Sequence, residues 1–281
     1  MSDTDFFARI WGARGSLPAS AGKSSQFGCN SACVELRCGG RVLVLDAGSG
    51  IFPLGHKLLD GDRRQVDLLF SHCHYDHIEG LPFFRPLHSR EWTVRIWSGH
   101  MAGRMSTEEI VAGYMREPYF PVGPGCFAAD VSCRDFKPGD VIEAGDGITI
   151  RTGLLNHPGG DVGYRIEYGG KSFCYITDTE HVPGKPDRTV LSLIEGADVV
   201  IYDSSYSDEH FEAHQGFGHS TWQEGARLCD AAGAGQLIAF HHLPENDDRA
   251  LDKVEAALGR MRPASRLARE GMVIVPGKPV R

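Results

Sequence analysis

The sequence has no long hydrophobic run. Nothing in its 281 residues approaches the roughly 20 consecutive apolar positions that span a bilayer, so no membrane segment is expected. A basic leader with an apolar core is also missing, since the chain opens on the acidic stretch MSDTDFFARIWG. A positive balance is missing too. Lys and Arg number 29 against 37 Asp and Glu, for a net charge of −8, whereas a general nucleic-acid binder needs a basic face. A locally positive, metal-containing pocket for one small anion stays compatible with that balance. The eight cysteines contain no CxxC pair, and Cys29 and Cys33 find no second pair to complete a zinc site. The chain therefore reads as cytoplasmic, with free thiols. Repeats and low-complexity segments are absent, so residues 1–281 read as a single domain.

Glycine and proline are plentiful, at 35 and 15 residues, and punctuate many short apolar runs. Runs rich in β-branched residues and bounded by Gly or Asp predict strands at Phe7–Trp11, Ala32–Arg37, Arg41–Asp46, Val66–Ser71, Val94–Trp97 and Ile148–Leu155. Further strands are predicted at Val162–Tyr168, Lys171–Thr177, Asp198–Asp203, Gln236–Phe240 and Met272–Val275. Helical patterns cover Ser106–Met115, Thr189–Glu195, Thr221–Ala232 and Arg249–Met261, with Thr107 and Ser220 as start signals. Two packed sheets with helices outside fit this order. The least regular stretch, near 100–135, holds Tyr114, Tyr119, Phe120 and Phe127 but only three arginines, Arg104, Arg116 and Arg134. It reads as a lid-like excursion over the core.

Histidine is the informative excess. Three of the 13 fall in Ser71-His72-Cys73-His74-Tyr75-Asp76-His77, directly after the apolar strand ending at Phe70. His72 and His74 stand two apart, so on an extended strand end they point the same way. Asp76 and His77 follow where the chain turns towards a helix. Four nitrogen or oxygen donors within six residues suit two adjacent divalent ions of the zinc type.

This HxHxDH run resembles the signature of the metallo-β-lactamase superfamily, whose fold is an αββα four-layer sandwich. Other segments match in the same order. Asp46 in Asp46–Gly50 corresponds to the family's supporting aspartate. His157, in Asn156-His157-Pro158, corresponds to the third histidine of the first metal, and Asp178, in Thr177-Asp178-Thr179, to the bridging carboxylate. The resemblance implies one ion on His72, His74 and His157, and a second on Asp76, His77 and a late histidine, with Asp178 between them. The run Leu237–His242 supplies two candidates for that last ligand. His241, the first residue past the strand, is the expected one, and His242 is the alternative. Zinc is the default metal, though manganese or iron would suit the mixed His/Asp set.

A second constellation narrows the reaction. Strand Asp198–Asp203 ends in a carboxylate, and Gly218-His219-Ser220-Thr221 opens a helix 16 residues later. This resembles the phosphodiesterase branch that includes the tRNA 3′-end endoribonuclease. There an acidic residue orients a histidine that protonates the leaving oxygen. Here Asp203 stands where the branch usually has Glu, one methylene longer. The expected reaction is cleavage of a small, cyclic phosphodiester by a hydroxide held between the two ions, with Asp76 in the catalytic set and His219 as general acid. Small cyclic-phosphate or cyclic-nucleotide phosphodiesterases of the same fold echo further runs, including Ile10–Ser16, where Arg14 is either a phosphate contact or a turn residue. The alternatives are a lactonase or thioesterase, which need no His219–Asp203 pair, and an RNA-processing nuclease, which would want a basic surface. No membrane and no long nucleic acid are expected as partners, and a homodimer is compatible with all of this.

Overall fold

Apolar runs become buried strands where both of their faces find a layer to cover them. In a computed structural model describing residues 5–20, 22 and 26–278, two seven-stranded sheets meet face to face. The first four residues of the N-terminal stretch read above lie outside the described residues. The first sheet is built from β1 (Phe6–Gly12), β2 (Cys33–Cys38), β3 (Arg41–Leu45), β4 (Gln65–Leu69), β5 (Thr93–Ser98) and β6 (Asp130–Asp135). The second contains β7 (Val141–Gly145), β8 (Ile148–Leu155), β9 (Asp161–Tyr168), β10 (Lys171–Ile176), β11 (Val199–Asp203), β12 (Gln236–Phe240) and β13 (Arg266–Leu267). The last strand, β14 (Val273–Ile274), returns to the first sheet beside β1.

Strand β11 displays the layering. Val199 and Ile201 enter the core between the sheets, while Val200 and Tyr202 enter the core under the outer helices. A strand covered on both faces reads as a continuous apolar run, as this one does. Helices α1 (Ile51–Leu59), α2 (Tyr75–Ile78) and α3 (Thr107–Tyr114) belong to the first half of the chain. Residues of α1 and α3 join the outer core of the first sheet. Helices α4 (Arg188–Ile194), α5 (Asp208–Phe211), α6 (Trp222–Ala231) and α7 (Asp248–Met261) follow, and α4, α6 and α7 cover the second sheet. The expected αββα sandwich is the observed architecture. No helix among the described residues is long and apolar enough to cross a membrane.

Both sheets follow one plan. Strands β1, β2 and β3 pair antiparallel, then β3 through β6 run parallel. Strands β7 to β10 pair antiparallel, then β10 through β13 run parallel. Parallel neighbours need crossovers, and their carboxyl ends open onto connecting loops, where ligand-binding groups gather in α/β folds.

The stretch near 100–135 is tied into the first sheet. It carries α3, started by a reciprocal Ser106–Glu109 capping box, and ends in β6, an unforeseen strand parallel to β5. Its aromatics dock on the segment that follows β4, with Tyr114 against Tyr75 and Phe120 against Phe83. The start of α6 also differs in detail from the expectation. Thr221 is the N-cap, because the Ser220 hydroxyl is engaged by His181 and Tyr202.

Candidate active site

The residues singled out in the sequence converge at the carboxyl ends of the strands. The loop after β4 delivers His72 and His74, and His74 then caps α2, which turns Asp76 and His77 inward. His157 follows β8, Asp178 follows β10, Asp203 ends β11, and His241 follows β12. At the site, three strand ends use a left-handed backbone at a residue other than glycine: Asp46 at φ 63°, Asp178 at φ 43° and His241 at φ 65°. Each such residue costs on the order of 1–3 kcal/mol. The surrounding packing stabilises this strain where it turns a side chain into the cluster.

Besides a third, overlapping group of Asp178, Asp203, His219 and His241, two groups of donor atoms hold the expected ligands. One is His72, His74 and His157, and the other is Asp76, His77, Asp178 and His241. His157 Nε2 lies 3.0 Å from His74 Nδ1. Asp178 reaches towards both groups: one carboxylate oxygen is 3.7 Å from His72 Nε2, and the other is 3.3 Å from His77 Nε2 and 3.2 Å from His241 Nε2. Asp76 Oδ2 is 3.2 Å from both His77 Nε2 and His241 Nε2.

Four of the imidazoles, those of His72, His77, His157 and His241, are anchored from behind. Asp46 takes the Nδ1–H of His77 at 2.8 Å and is itself held by the Ser71 amide, the Ser71 hydroxyl and the Tyr175 hydroxyl. The Gly218 carbonyl accepts from His157 Nδ1 at 2.7 Å. The Ser205 hydroxyl donates to Asp203, so it accepts from His241 Nδ1 at 2.9 Å. The Ser71 hydroxyl donates to Asp46, so it accepts from His72 Nδ1 at 3.1 Å, with Asp161 Oδ2 3.0 Å from the same nitrogen. These bonds fix tautomers in which the Nε2 lone pairs of four histidines face one another. His72 Nε2 is buried and makes no hydrogen bond. Such a donor set fits cations and little else.

The electrostatics agree with that fit. Burial holds His72, His74 and His157 below the usual imidazole range, so they are neutral and able to donate a lone pair. Burial works against charge on His77 as well, but Asp178, Asp76 and Asp46 outweigh it and hold His77 well above that range. Burial would raise Asp178, yet His241, His77 and His72 keep it ionised. A cluster of carboxylates this buried demands positive charge, and a metal cation can take the place of the proton on His77.

His219 stands beside the cluster, its ring 4.8 Å from His241 and 5.4 Å from His157. Its Nδ1 donates to Asp203 Oδ2 at 2.9 Å, so the shorter side chain still reaches. Asp203 is fully buried and is held by the amides of Thr179 and Ser205. Burial opposes a charge on His219, but Asp203, by charge and hydrogen bond, and Asp178 outweigh it and push the imidazole up to about 9. The cleft above has a volume of about 550 Å³ and is lined by Ser16, Cys73, His74, Tyr75, Asp76, Asp178 and His219.

His242 and Arg14 lie outside this cleft. His242 Nε2 bonds the Ala268 carbonyl, so of the two late histidines only His241 faces the cluster. Arg14 is buried against the carbonyls of Gly28, Leu243 and Asn246 and acts as a turn residue.

Several supports escaped the sequence reading. Asp161 opens a strand, and its only signal is an aspartate after Gly159-Gly160. Ser205 follows Asp203 without any pattern. Glu180 clamps the amides of Gly216 and Gly218 at 2.7 and 2.8 Å, tying the segment after Asp178 to the one before His219. Gly218 itself has φ 86°, and a Cβ there would sit 2.3 Å from His157 Nδ1, so only glycine allows this approach. Gly15 is needed in the same way, since its Cβ would meet the His241 ring at 2.1 Å.

Comparison with known proteins agrees with this geometry. Ribonuclease Z from Methanosarcina acetivorans is 24% identical over 260 residues, covering 75% of this chain and 81% of its own length. Among solved structures, the metallo-beta-lactamase fold protein YhfI from Bacillus subtilis superposes with a TM-score of 0.69 at 19% identity, covering 95% of this chain and 98% of that one. A diphosphatase from the PhnP family gives 0.66 at 17% identity, covering 96% of each chain. Residues 41–242 match the beta-lactamase superfamily domain, so the chain belongs to that superfamily and is a metal-dependent hydrolase of it.

Proposed function

We propose that the protein is a dinuclear metal-dependent phosphodiesterase acting on a small, cyclic phosphodiester, with His219 as the general acid. The observation that carries this reading is the His219–Asp203 hydrogen bond of 2.9 Å at the edge of the donor cluster. Hydrolysis of a lactone or thioester has less need of a protonated imidazole fixed by a buried carboxylate. Cleavage of a phosphodiester does need one, because the leaving alkoxide must take up a proton.

His72, His74 and His157 would hold one cation and Asp76, His77 and His241 the other, with Asp178 shared. Two bound cations supply charge for the phosphoryl oxygens and activate water. The chain's own residues do the rest. Asp203 commits Nδ1 of His219 and so leaves Nε2 as the nitrogen that meets the leaving oxygen. Asp46, Ser205 and the Gly218 carbonyl fix the imidazoles in orientation, so the donors need no reorganisation when substrate arrives.

Small size is supported by the net charge of −8 and by a cleft with no Lys or Arg among its described lining residues. The likeness to ribonuclease Z, across three quarters of the chain, favours RNA processing as a second reading. A direct assay separates the two. The zinc- or manganese-loaded protein is given 2′,3′-cyclic nucleotides, a chromogenic phosphodiester, a lactone, a thioester and precursor tRNA. Turnover of small phosphodiesters that depends on His219 supports the first reading. A kcat/KM on precursor tRNA far above every small phosphodiester overturns it in favour of the second.

A further inference from the structure

Four of the side chains that line the cleft are already engaged. His74, Asp76 and Asp178 converge on the cation positions, and His219 is tied to Asp203. The Ser16 amide donates to Asp76 at 2.7 Å. The large apolar surface that remains is the ring of Tyr75, which is 73% exposed although it sits between two donors of the cluster.

The ring stands on a fixed base. Tyr75 opens α2, with its carbonyl accepting from the Glu79 amide at 2.7 Å and the His74 carbonyl accepting from the His77 amide at 3.0 Å. Behind it stands Tyr114, the last residue of α3, at 6.5 Å between ring centroids and 45° between planes. Tyr114 is half-buried against the outer core of the first sheet. The aromatic stretch near 100–135 thus braces a neighbouring ring. Tyr75 lines the same cleft as His74, Asp76, Asp178 and His219, so its ring borders the space that the organic part of a phosphate ester at the cluster would enter.

We propose that Tyr75 is a stacking platform for a nucleobase, so that the phosphodiester bound at this site carries a nucleoside. The proposal rests on the phosphodiesterase reading and adds the chemical class of the substrate's organic part. An aromatic ring stacks on any base through its π-face, whereas base-edge recognition would need several hydrogen-bonding side chains, and among the described lining residues His74, Asp76, Asp178 and His219 are already engaged. The site therefore discriminates a nucleotide from a bare sugar phosphate and tolerates different bases.

The test compares binding of adenosine 5′-monophosphate and ribose 5-phosphate to the zinc-loaded protein by calorimetry, in the parent, Tyr75→Ala and Tyr75→Phe. The parent should prefer the nucleotide by about 10-fold, the scale of one base–aromatic stack. Tyr75→Ala should lose that preference and Tyr75→Phe should keep it. No preference in the parent, or an equal preference in Tyr75→Ala, overturns the platform. Hydrolysis of 2′,3′-cyclic AMP and of bis(p-nitrophenyl) phosphate, followed in parallel, keeps the two claims apart. Turnover with a preference independent of Tyr75 defeats the platform alone. Failure to cleave either diester, with a Tyr75-dependent preference intact, defeats the phosphodiesterase reading and upholds the nucleotide site.

Discussion

The two halves of the molecule follow one plan and use it differently. Each begins as an antiparallel meander, turns parallel, and places polar residues at the carboxyl ends of its parallel strands. Asp46 after β3 and Asp178 after β10 even share a left-handed backbone at matching points of the plan. The first half concentrates four donors between His72 and His77, in one loop and one turn of helix. The second half spreads His157, Asp178, Asp203, His219 and His241 over separate loops. Neither half makes the cluster alone, since Asp178 closes on histidines from both and Tyr175 of β10 supports Asp46 of the first half. The first half therefore acts as a compact ligand cassette. On the proposed reading, the second half supplies the carboxylate that both cations would share and the general acid.

The largest expected effect comes from removing a donor from each half. His74→Ala takes one ligand from one cation position, and Asp178→Ala takes the group near both. Both variants should fall to background activity while keeping a folded circular-dichroism spectrum. Elemental analysis should find Asp178→Ala depleted of both ions and His74→Ala depleted of one. Equal metal content in the two variants would refute the shared role of Asp178 and, with it, the division of labour between the halves.

Next in size is His219→Ala, with an expected loss of about 10²–10⁴ in kcat at unchanged metal content. The loss should shrink for substrates with good leaving groups. A uniform loss across leaving groups would remove His219 from the role of acid. The metal-free protein offers a second readout. His219 is pushed up to about 9 from an ordinary 6.5, so the folded chain binds this proton more tightly than the unfolded chain. Its contribution to stability is therefore complete below about pH 6.5 and is lost as pH rises through about 9. The stability difference between the parent and His219→Gln should shrink across that window, by at most about 1.4 kcal/mol per pH unit. A flat difference would mean that Asp203 does not hold the proton on His219.

How much of this was legible in the sequence divides along the same line. The first-half donors are close in sequence, so spacing alone revealed the HxHxDH run. Asp178 and His157 carry no local signature and became visible only through resemblance to a family. Asp161, Ser205 and Glu180 were invisible because they act on partners brought near by the fold; Ser205 and His241, for example, stand 36 residues apart. The buried central strands were legible because both faces are apolar, as in Val199–Asp203. The strands not foreseen, β6, β7 and β13, all lie at or beside sheet edges, where half-exposed residues blur the pattern. Helix α1 was missed because Pro53 and Gly55 argue against helix. Pro53 falls in the first turn, where proline is tolerated, and a Cβ at Gly55 would come within 2.9 Å of the Arg85 amide nitrogen.

Glu180 tests whether the scattered second half depends on ties that the cassette does not need. Glu180→Ala leaves the amides of Gly216 and Gly218 without their acceptor and frees the loop that carries His219 and the carbonyl behind His157. Activity should fall about 10–100-fold, the usual range for groups that orient ligands. Glu180→Gln, which keeps an oxygen acceptor, should recover part of it. If Glu180→Ala matches the parent, the loop is held by its glycine backbone and packing alone.

The smallest expected effect probes the link between the halves. Tyr175 is fully buried, and its hydroxyl donates to Asp46 Oδ2 at 2.9 Å. That oxygen also receives the Ser71 hydroxyl and His77 Nδ1, both at 2.8 Å. Tyr175→Phe removes one donor of three and leaves the carboxylate satisfied by the first half's own groups. The cost should sit near the low end for a hydrogen bond to a charged group, about 1–2 kcal/mol in denaturant unfolding. Activity should change little, because His77 keeps its anchor. A larger loss of stability, or a drop in metal content, would mean that the second sheet positions Asp46 and, through it, His77, so the cassette would not be self-contained.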